Sequence, residues 1–305
     1  RQTQNIRMGS LRIRERLAGI QSETEHYEEM VEELIWNEVS SFKKMYLKDR
    51  KIENIMLIGD VFTDSVYQNI KEKTTKIISR ENFNPWYEKI IRQSPMELAV
   101  KLGIPLENAS LMYPSAVIYK CLIDMMGAEH IWIPGVHMTR GIAYEYAEQM
   151  KLLKGGHNFE NDILMAAKNI GKRYAVNRPH VQNLEMTALA MFDATKKMHG
   201  MKERERLLLQ MAVMLHDVGK YISFNNVADS SYNIIMSNEI IGLSHIEREM
   251  VALIARYNTV TLPSYDELVM ESSLSAEQYL TVSELTAIVR LANALDRSHL
   301  QKIQA

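Results

Sequence analysis

Four side chains far apart in the 305-residue sequence have the types and settings to hold a divalent cation: His180, His216, Asp217 and Asp296. His216 and Asp217 sit in Leu215-His216-Asp217-Val218-Gly219-Lys220, at the end of the strongly apolar run LLLQMAVML. His180 lies upstream in RPHVQNLEMTAL, and Asp296 downstream in LANALDRSH. Two imidazoles and two carboxylates brought together from separate helices make a mixed nitrogen and oxygen site, suited to Mn²⁺, Fe²⁺, Zn²⁺ or, less well, Mg²⁺. A cation so held polarises a phosphoryl oxygen and acidifies a bound water. Lys220, one turn beyond His216, and Arg297, beside Asp296, are then candidates to neutralise charge on a phosphate. Each residue also has an ordinary reading. Asp217 can be a helix C-terminal residue, Gly219 a left-handed cap, and His180 a surface residue after Pro179 at a helix start. The metal reading rests on all four occurring together. The remaining histidines, His299 among them, have no partner at ligand spacing and read as structural or solvated.

The elements that must position these groups are helical. From Phe159 to the end, apolar residues recur at three and four across 160–174, 181–198, 245–257 and 280–302. The 20 methionines, many of them in these helices, read as adaptable core filler. Before Gly155-Gly156 the pattern differs. A helix is expected between Glu23 and Leu47, an interior strand covered on both faces at Glu53–Gly59, and further strands near Thr75–Ser79 and His130–Pro134. Residues 3–15 alternate about Gly9, as in a bent strand. The fold class is therefore α+β, with an α/β domain over 1–155 and an all-helical domain over 156–305.

Composition narrows the partners. With 36 basic and 38 acidic residues there is no global field to gather DNA, and no apolar run of eighteen residues suggests a membrane span. The one cysteine, Cys121, falls in an apolar helical stretch, so intrachain disulfides are excluded; a buried thiol in a reducing cytoplasm is expected. The opening RQTQNIRMGS lacks an initiator methionine and reads as the interior of a longer protein.

Several long segments resemble one family, the exopolyphosphatase and guanosine pentaphosphate phosphatases in their long form with a carboxy-terminal HD-type domain. NIRMGSLRIRERL, IENIMLIGDVF, SPMELAVKLGIPLENASLMYPSAVIYKCLI and VHMTRGIAYEYA are similar to its second actin-like lobe. MLHDVGKYISF, NEIIGLSHIEREMVALIARYN and LANALDRSH are similar to its helical domain. The resemblance implies a ribonuclease-H-like lobe over 1–155 followed by an HD-type phosphohydrolase domain. It also implies hydrolysis of phosphoanhydrides, with polyphosphate or guanosine polyphosphates as ligands and a homodimer as the assembly. In the family the main reaction takes place between two lobes, and the first lobe is not in this sequence, so the fragment by itself is not expected to perform it. Gly59 and Asp60 stand where the family has a double-glycine phosphate loop, and the acidic residue weakens that loop as a phosphate site. NNVADSSYN and Asn258 stand where similar proteins often have histidines, so one metal at most is expected, with Asp229 a possible extra ligand. Two other readings stay open: an HD domain active by itself on a nucleotide phosphoester, and a degenerate member that binds a nucleotide or partner without turnover.

Overall fold

In a computed structural model the chain is described over residues 6, 8–17, 27–48, 50–59, 61–69 and 76–303. It divides into two units, Ile6–Gly155 and Gly156–Ala305.

The first unit contains α1 (Ser10–Leu17), α2 (Tyr27–Phe42), β1 (Asn54–Met56), α3 (Val61–Asn69), β2 (Ile77–Ser79), α4 (Arg80–Ile91), α5 (Pro95–Leu102), α6 (Leu106–Met126), β3 (His130–Trp132) and α7 (Met138–Gln149). The long α6 is its hub, and α1 to α5 pack on it, α1 through the fully buried Ile13. Local chemistry sets the ends of these helices. Ser94 and Glu97 form a reciprocal capping box with Pro95 at the first position of α5, and Gly103 and Gly127 close α5 and α6 at φ +65° and +67°.

Two expectations for this unit are corrected. Residues 10–15 of the expected bent strand belong to a helix, α1, because Ile13 packs against α6 while Leu11 stays exposed; so short an alternation cannot by itself separate the two periods. Residues 3–5 lie outside the described residues. The strand expected to be interior is at an edge of the described sheet, whose order is β1-β3-β2, with β1 parallel and β2 antiparallel to β3. Among the described residues the sheet is covered on one face only. Ile131 is fully buried against the helices, whereas Met56, Trp132 and Ile77, paired across the three strands, are each more than two-fifths exposed on the other face. Cys121 is half-buried on α6.

The second unit is all-helical among its described residues: α8 (Phe159–Arg173), α9 (Arg178–His199), α10 (Glu203–Leu215), a 3₁₀ turn (Val218–Tyr221), α11 (Val227–Ser237), α12 (His245–Arg256), α13 (Tyr265–Leu268) and α14 (Ala276–Leu295). Helix α10 is apolar on every side from Leu207 to Leu215, apart from the half-buried Gln210, and is accordingly central, packed by α8, α9, α12 and α14. That placement delivers His216 and Asp217 to the middle of the domain. Methionines divide between roles: Met211 and Met214 are core, but Met198 and Met270 are more than four-fifths exposed, so core filling accounts for only part of them.

Arg204 at the start of α10 clamps Glu247 on α12 with two bonds of 2.6 and 2.9 Å and also donates to the Gly242 carbonyl. The guanidinium, with help from Ser244, holds the Glu247 carboxyl below its ordinary 4.5 against the opposing effect of burial. The folded state therefore releases this proton more readily than the unfolded chain. Its stabilisation is complete above pH 4.5 and is lost as pH falls through the lower folded value. Glu247→Gln is expected to lose about 1 kcal/mol at pH 7, the pair being partly screened. Denaturation midpoints at pH 7 and at progressively lower pH check this: the gap between variant and wild type should close on acidification, and a gap that is constant with pH would refute the role of the charge.

Candidate metal centre

Three of the four expected ligands converge. His180 lies in the first turn of α9, where the Asn177 side chain caps the helix by accepting from the His180 amide. His216 closes α10, and Asp217 follows it at φ −105°, where the chain leaves the helix for the 3₁₀ turn. One ligand atom from each of these three residues lies within 4.8 Å of the others. Both imidazoles are buried, His180 fully and His216 to within 2%.

The second nitrogen of each ring fixes the first. His216 Nδ1 lies 2.8 Å from the Val213 carbonyl oxygen, a bond that requires the proton on Nδ1 and leaves Nε2 a bare lone pair. His180 Nδ1 lies 2.8 Å from Asp296 Oδ2, with the same consequence. Both Nε2 atoms are buried with no hydrogen-bond partner, and His216 Nε2 faces Asp217 Oδ1 at 3.4 Å. Two buried acceptors and a carboxylate around one point are costly without a cation among them, and one shared proton cannot satisfy all three. These residues fit a divalent metal.

Gly219 and Ser231 hold the turn that carries the pair. Ser231 Oγ accepts from the Gly219 amide at 2.9 Å and donates to the His216 carbonyl at 3.0 Å, fully buried. A Cβ on Gly219 would stand 2.3 Å from the Val227 carbonyl oxygen, so glycine is required by the close approach of α11. A left-handed cap, the ordinary reading of this glycine, is not what the backbone shows: Gly219 is absent from the positive-φ glycines.

Beside the triad opens a cavity of about 760 Å³. Asp217 and Lys220 line one part of it, Asp229, Arg256 and Asn258 another, and Arg290 and Asn293 of α14, with Arg297 beyond its end, a third.

Residues 164–305 match the family model described as Ppx/GppA phosphatase, domain III. The carboxy-terminal unit is similar to domain III of the Ppx/GppA phosphatases. A relative named guanosine-5'-triphosphate,3'-diphosphate pyrophosphatase, from Vibrio atlanticus (strain LGP32), is 20% identical over 205 residues, which cover 66% of this chain. The chain spans 39% of that relative's length.

Within this unit, Asp296 stands behind His180 and outside the convergent triad, which differs from its expected place as a direct ligand. Its carboxylate is 1% exposed and accepts from the Gln301 amide at 2.8 Å as well as from His180. Burial pushes its carboxyl upward, but the His180 and Gln301 bonds outweigh that and keep it ionised. Such carboxylate–histidine pairs orient a ligand ring and raise its basicity. Asp296→Asn should therefore weaken metal affinity about 10- to 100-fold while leaving one metal per chain at saturation. A metal titration checks this, and an unchanged affinity would remove Asp296 from the centre.

Lys220 is engaged, with Nζ 2.5 Å from Asp217 Oδ2. Burial would raise the Asp217 carboxyl, yet the His216 ring, when it carries a second proton, and the Lys220 ammonium hold it far below the usual carboxylate range, so it is an anion ready to ligate. Burial pushes the His180 imidazole below its ordinary value despite Asp296, which keeps the ring neutral, as a ligand must be. Arg297 is exposed on the cavity wall. Asp229 pairs with Arg256 at 2.8 Å and is outside the triad, and Asn258 is buried and accepts from Asn293 at 3.3 Å. In the first unit Gly59 adopts φ +86° after β1, and Asp60 lies outside the described residues.

One neighbour of the triad escaped the sequence reading. His299 stacks on His180 with ring centroids 3.7 Å apart and planes 10° from parallel, and it lines the cavity. Its amide donates to the Asp296 carbonyl at 2.8 Å, one turn after that residue. The signal was present in Asp-Arg-Ser-His, three residues apart in one turn, but only the fold shows what the ring covers.

Proposed function

We propose that the chain is the carboxy-terminal portion of a phosphohydrolase of the exopolyphosphatase and guanosine pentaphosphatase type, acting on phosphoanhydrides, and that its helical domain is an HD-type centre for one divalent cation. In this reading residues 1–155 form the second, ribonuclease-H-like lobe of an actin-like unit. The protein is a cytoplasmic homodimer whose ligand is polyphosphate or a guanosine polyphosphate, the class named for the Vibrio relative. The observation that carries the reading is the pair of buried, unpartnered Nε2 atoms of His180 and His216 beside Asp217.

His180, His216 and Asp217 would hold Mn²⁺, Fe²⁺, Zn²⁺ or, less well, Mg²⁺. When bound, the metal supplies Lewis-acid polarisation of a phosphoryl oxygen. The protein's own groups do the rest. Asp296 and the Val213 carbonyl each accept from an Nδ1–H and so turn the two Nε2 atoms toward the site, and His299 covers one face of His180. Lys220, held against Asp217, places a cation at the cavity wall where a phosphate oxygen would lie, and Arg297 adds another.

Elemental analysis combined with phosphate release from a panel of phosphoanhydrides tests the proposal. One metal per chain and metal-dependent release that Asp217→Ala abolishes are expected. Asn258, a carboxamide engaged by Asn293, and Asp229, engaged by Arg256, favour a second reading in which the domain binds a phosphorylated ligand without turnover. A fully metal-loaded protein that releases no phosphate from any member of the panel would establish that reading instead.

A further inference from the structure

Beyond α14, residues 296–303 fold back as a strap against the start of α9. Three side chains spaced three apart, Asn177, His180 and Asn183, receive it along one ridge of that helix. Asn177 donates to His299 Nδ1 across a long 3.5 Å, His180 carries the stacked His299 ring, and the buried Asn183 donates to the Ile303 carbonyl at 3.0 Å. Asp296 ties this strap to the ligand. Its carbonyl accepts from the His299 amide at 2.8 Å, and Oδ1 accepts from the Gln301 amide at 2.8 Å. Oδ2 accepts from His180 Nδ1 at 2.8 Å and from the Gln301 side-chain amide at 3.2 Å. Gln301 therefore cannot leave without removing two of the bonds that hold the carboxylate behind His180.

The strap is also wound against its backbone preference, with φ +56° at His299 and +50° at Gln301. Histidine visits the left-handed region more readily than most residues, and glutamine has no such tolerance. Closing a helix calls for a left-handed residue directly after its C-cap, whereas these two lie three and five positions beyond the C-cap Asp296. Strained conformations of this kind persist where the surroundings over-determine them. Here the ring stack on His180 and the bonds to Asp296 do so. His180, His216 and Asp217 are all buried, so a cation cannot reach or leave their ligand atoms unless a neighbouring group moves. The strap is exposed along most of its length, and its strain favours release. We propose that residues 296–303 are a lock on the metal centre: His299 and Gln301 are positioning residues that hold His180 in its ligating orientation, and the cation exchanges when the strap peels from α9. This deepens the function proposed above and rests on its divalent cation at the triad. The coupling runs both ways, since a cation that binds the closed state more tightly must itself hold the strap closed.

The test loads the full chain with Zn²⁺, removes the excess and follows release into a large excess of a chromophoric chelator. His299→Asn deletes the ring while keeping a residue that accepts left-handed backbone. It should still hold one Zn²⁺ per chain at saturation but release it at least about tenfold faster, the lower end of what an outer-shell partner contributes. His299→Phe restores a flat ring and should recover most of the difference. A purely structural role would instead lower the melting temperature of the metal-free protein and leave the release rate unchanged. A second readout needs no substitution: in wild type, hydrogen exchange of a peptide spanning residues 297–303 should be at least about fivefold slower with Zn²⁺ than in chelator. Release unaffected by His299→Asn, release from His299→Phe as fast as from His299→Asn, or strap exchange indifferent to Zn²⁺ would overturn the lock. A wild type that takes up no Zn²⁺ refutes the metal centre and the lock with it. One Zn²⁺ per chain, released at the same rate by wild type and both variants, refutes the lock alone.

Discussion

Asp217→Ala and His216→Ala are expected to reduce metal content from one equivalent per chain to background, an affinity loss of at least about 100-fold, since each removes a direct ligand whereas loss of an outer-shell partner weakens binding 10- to 100-fold. The consequence extends to stability. A cation that binds the folded state at about a hundred times its dissociation constant stabilises it by about 2.7 kcal/mol. For a unit of this size that corresponds to a melting shift of roughly 5 to 10 °C. Wild type should thus melt lower after a chelator and recover on addition of Mn²⁺ or Zn²⁺, while both variants should be indifferent to either. Asp217→Asn, which keeps the side-chain volume, separates loss of charge from loss of packing and should behave like the alanine variant. A wild type whose melting is unmoved by chelator, in a preparation shown to contain metal beforehand, would remove the cation from the site.

Gly219→Ala should cost about 2 to 3 kcal/mol, the range for forcing extra atoms into a packed interior, although it adds only one methyl group. The atoms in its way are main chain, the Val227 carbonyl oxygen at 2.3 Å and the Ser231 amide at 2.6 Å, so no side chain can swing aside to admit it. Relief requires α11 to move away from the 3₁₀ turn, which also breaks the Ser231 bonds to Gly219 and to His216. Metal affinity should therefore fall together with stability. Gly141→Ala is the contrasting case: it lies inside α7 with open space around a Cβ, and should gain up to about 1 kcal/mol from helix propensity. Unfolding curves and metal titrations of the two variants are the measurements. A Gly219→Ala protein as stable as wild type would show that the turn is not held as described.

Much of the helical unit was legible in the chain because its helices bury broad stripes and the three-and-four spacing survives over many turns. Helix α10 is the clearest example: nearly every position from Leu207 to Leu215 is apolar, and only a central helix tolerates that. The first unit was less legible. Its described strands are three residues long, too short for a period to declare itself, and residues 10–15 alternate like a strand while packing as a helix. Strand order was also hidden. β3 became the central strand because it pairs with β1 on one side and β2 on the other, a matter of partners that no local pattern encodes.

By itself the sequence determined which residue types were available for a metal, that they sit on or beside apolar helices, and which family the carboxy-terminal segments are similar to. Tertiary structure alone decided which of them meet. It put His180, His216 and Asp217 around one point and set Asp296 behind His180. It also placed His299 against that ring and tied Lys220 to Asp217. The physical reason is that coordination and hydrogen bonding act over about 3 Å, whereas the residues concerned, such as His180 and Asp296, can be separated by 116 positions, so only helix packing can say which atom meets which.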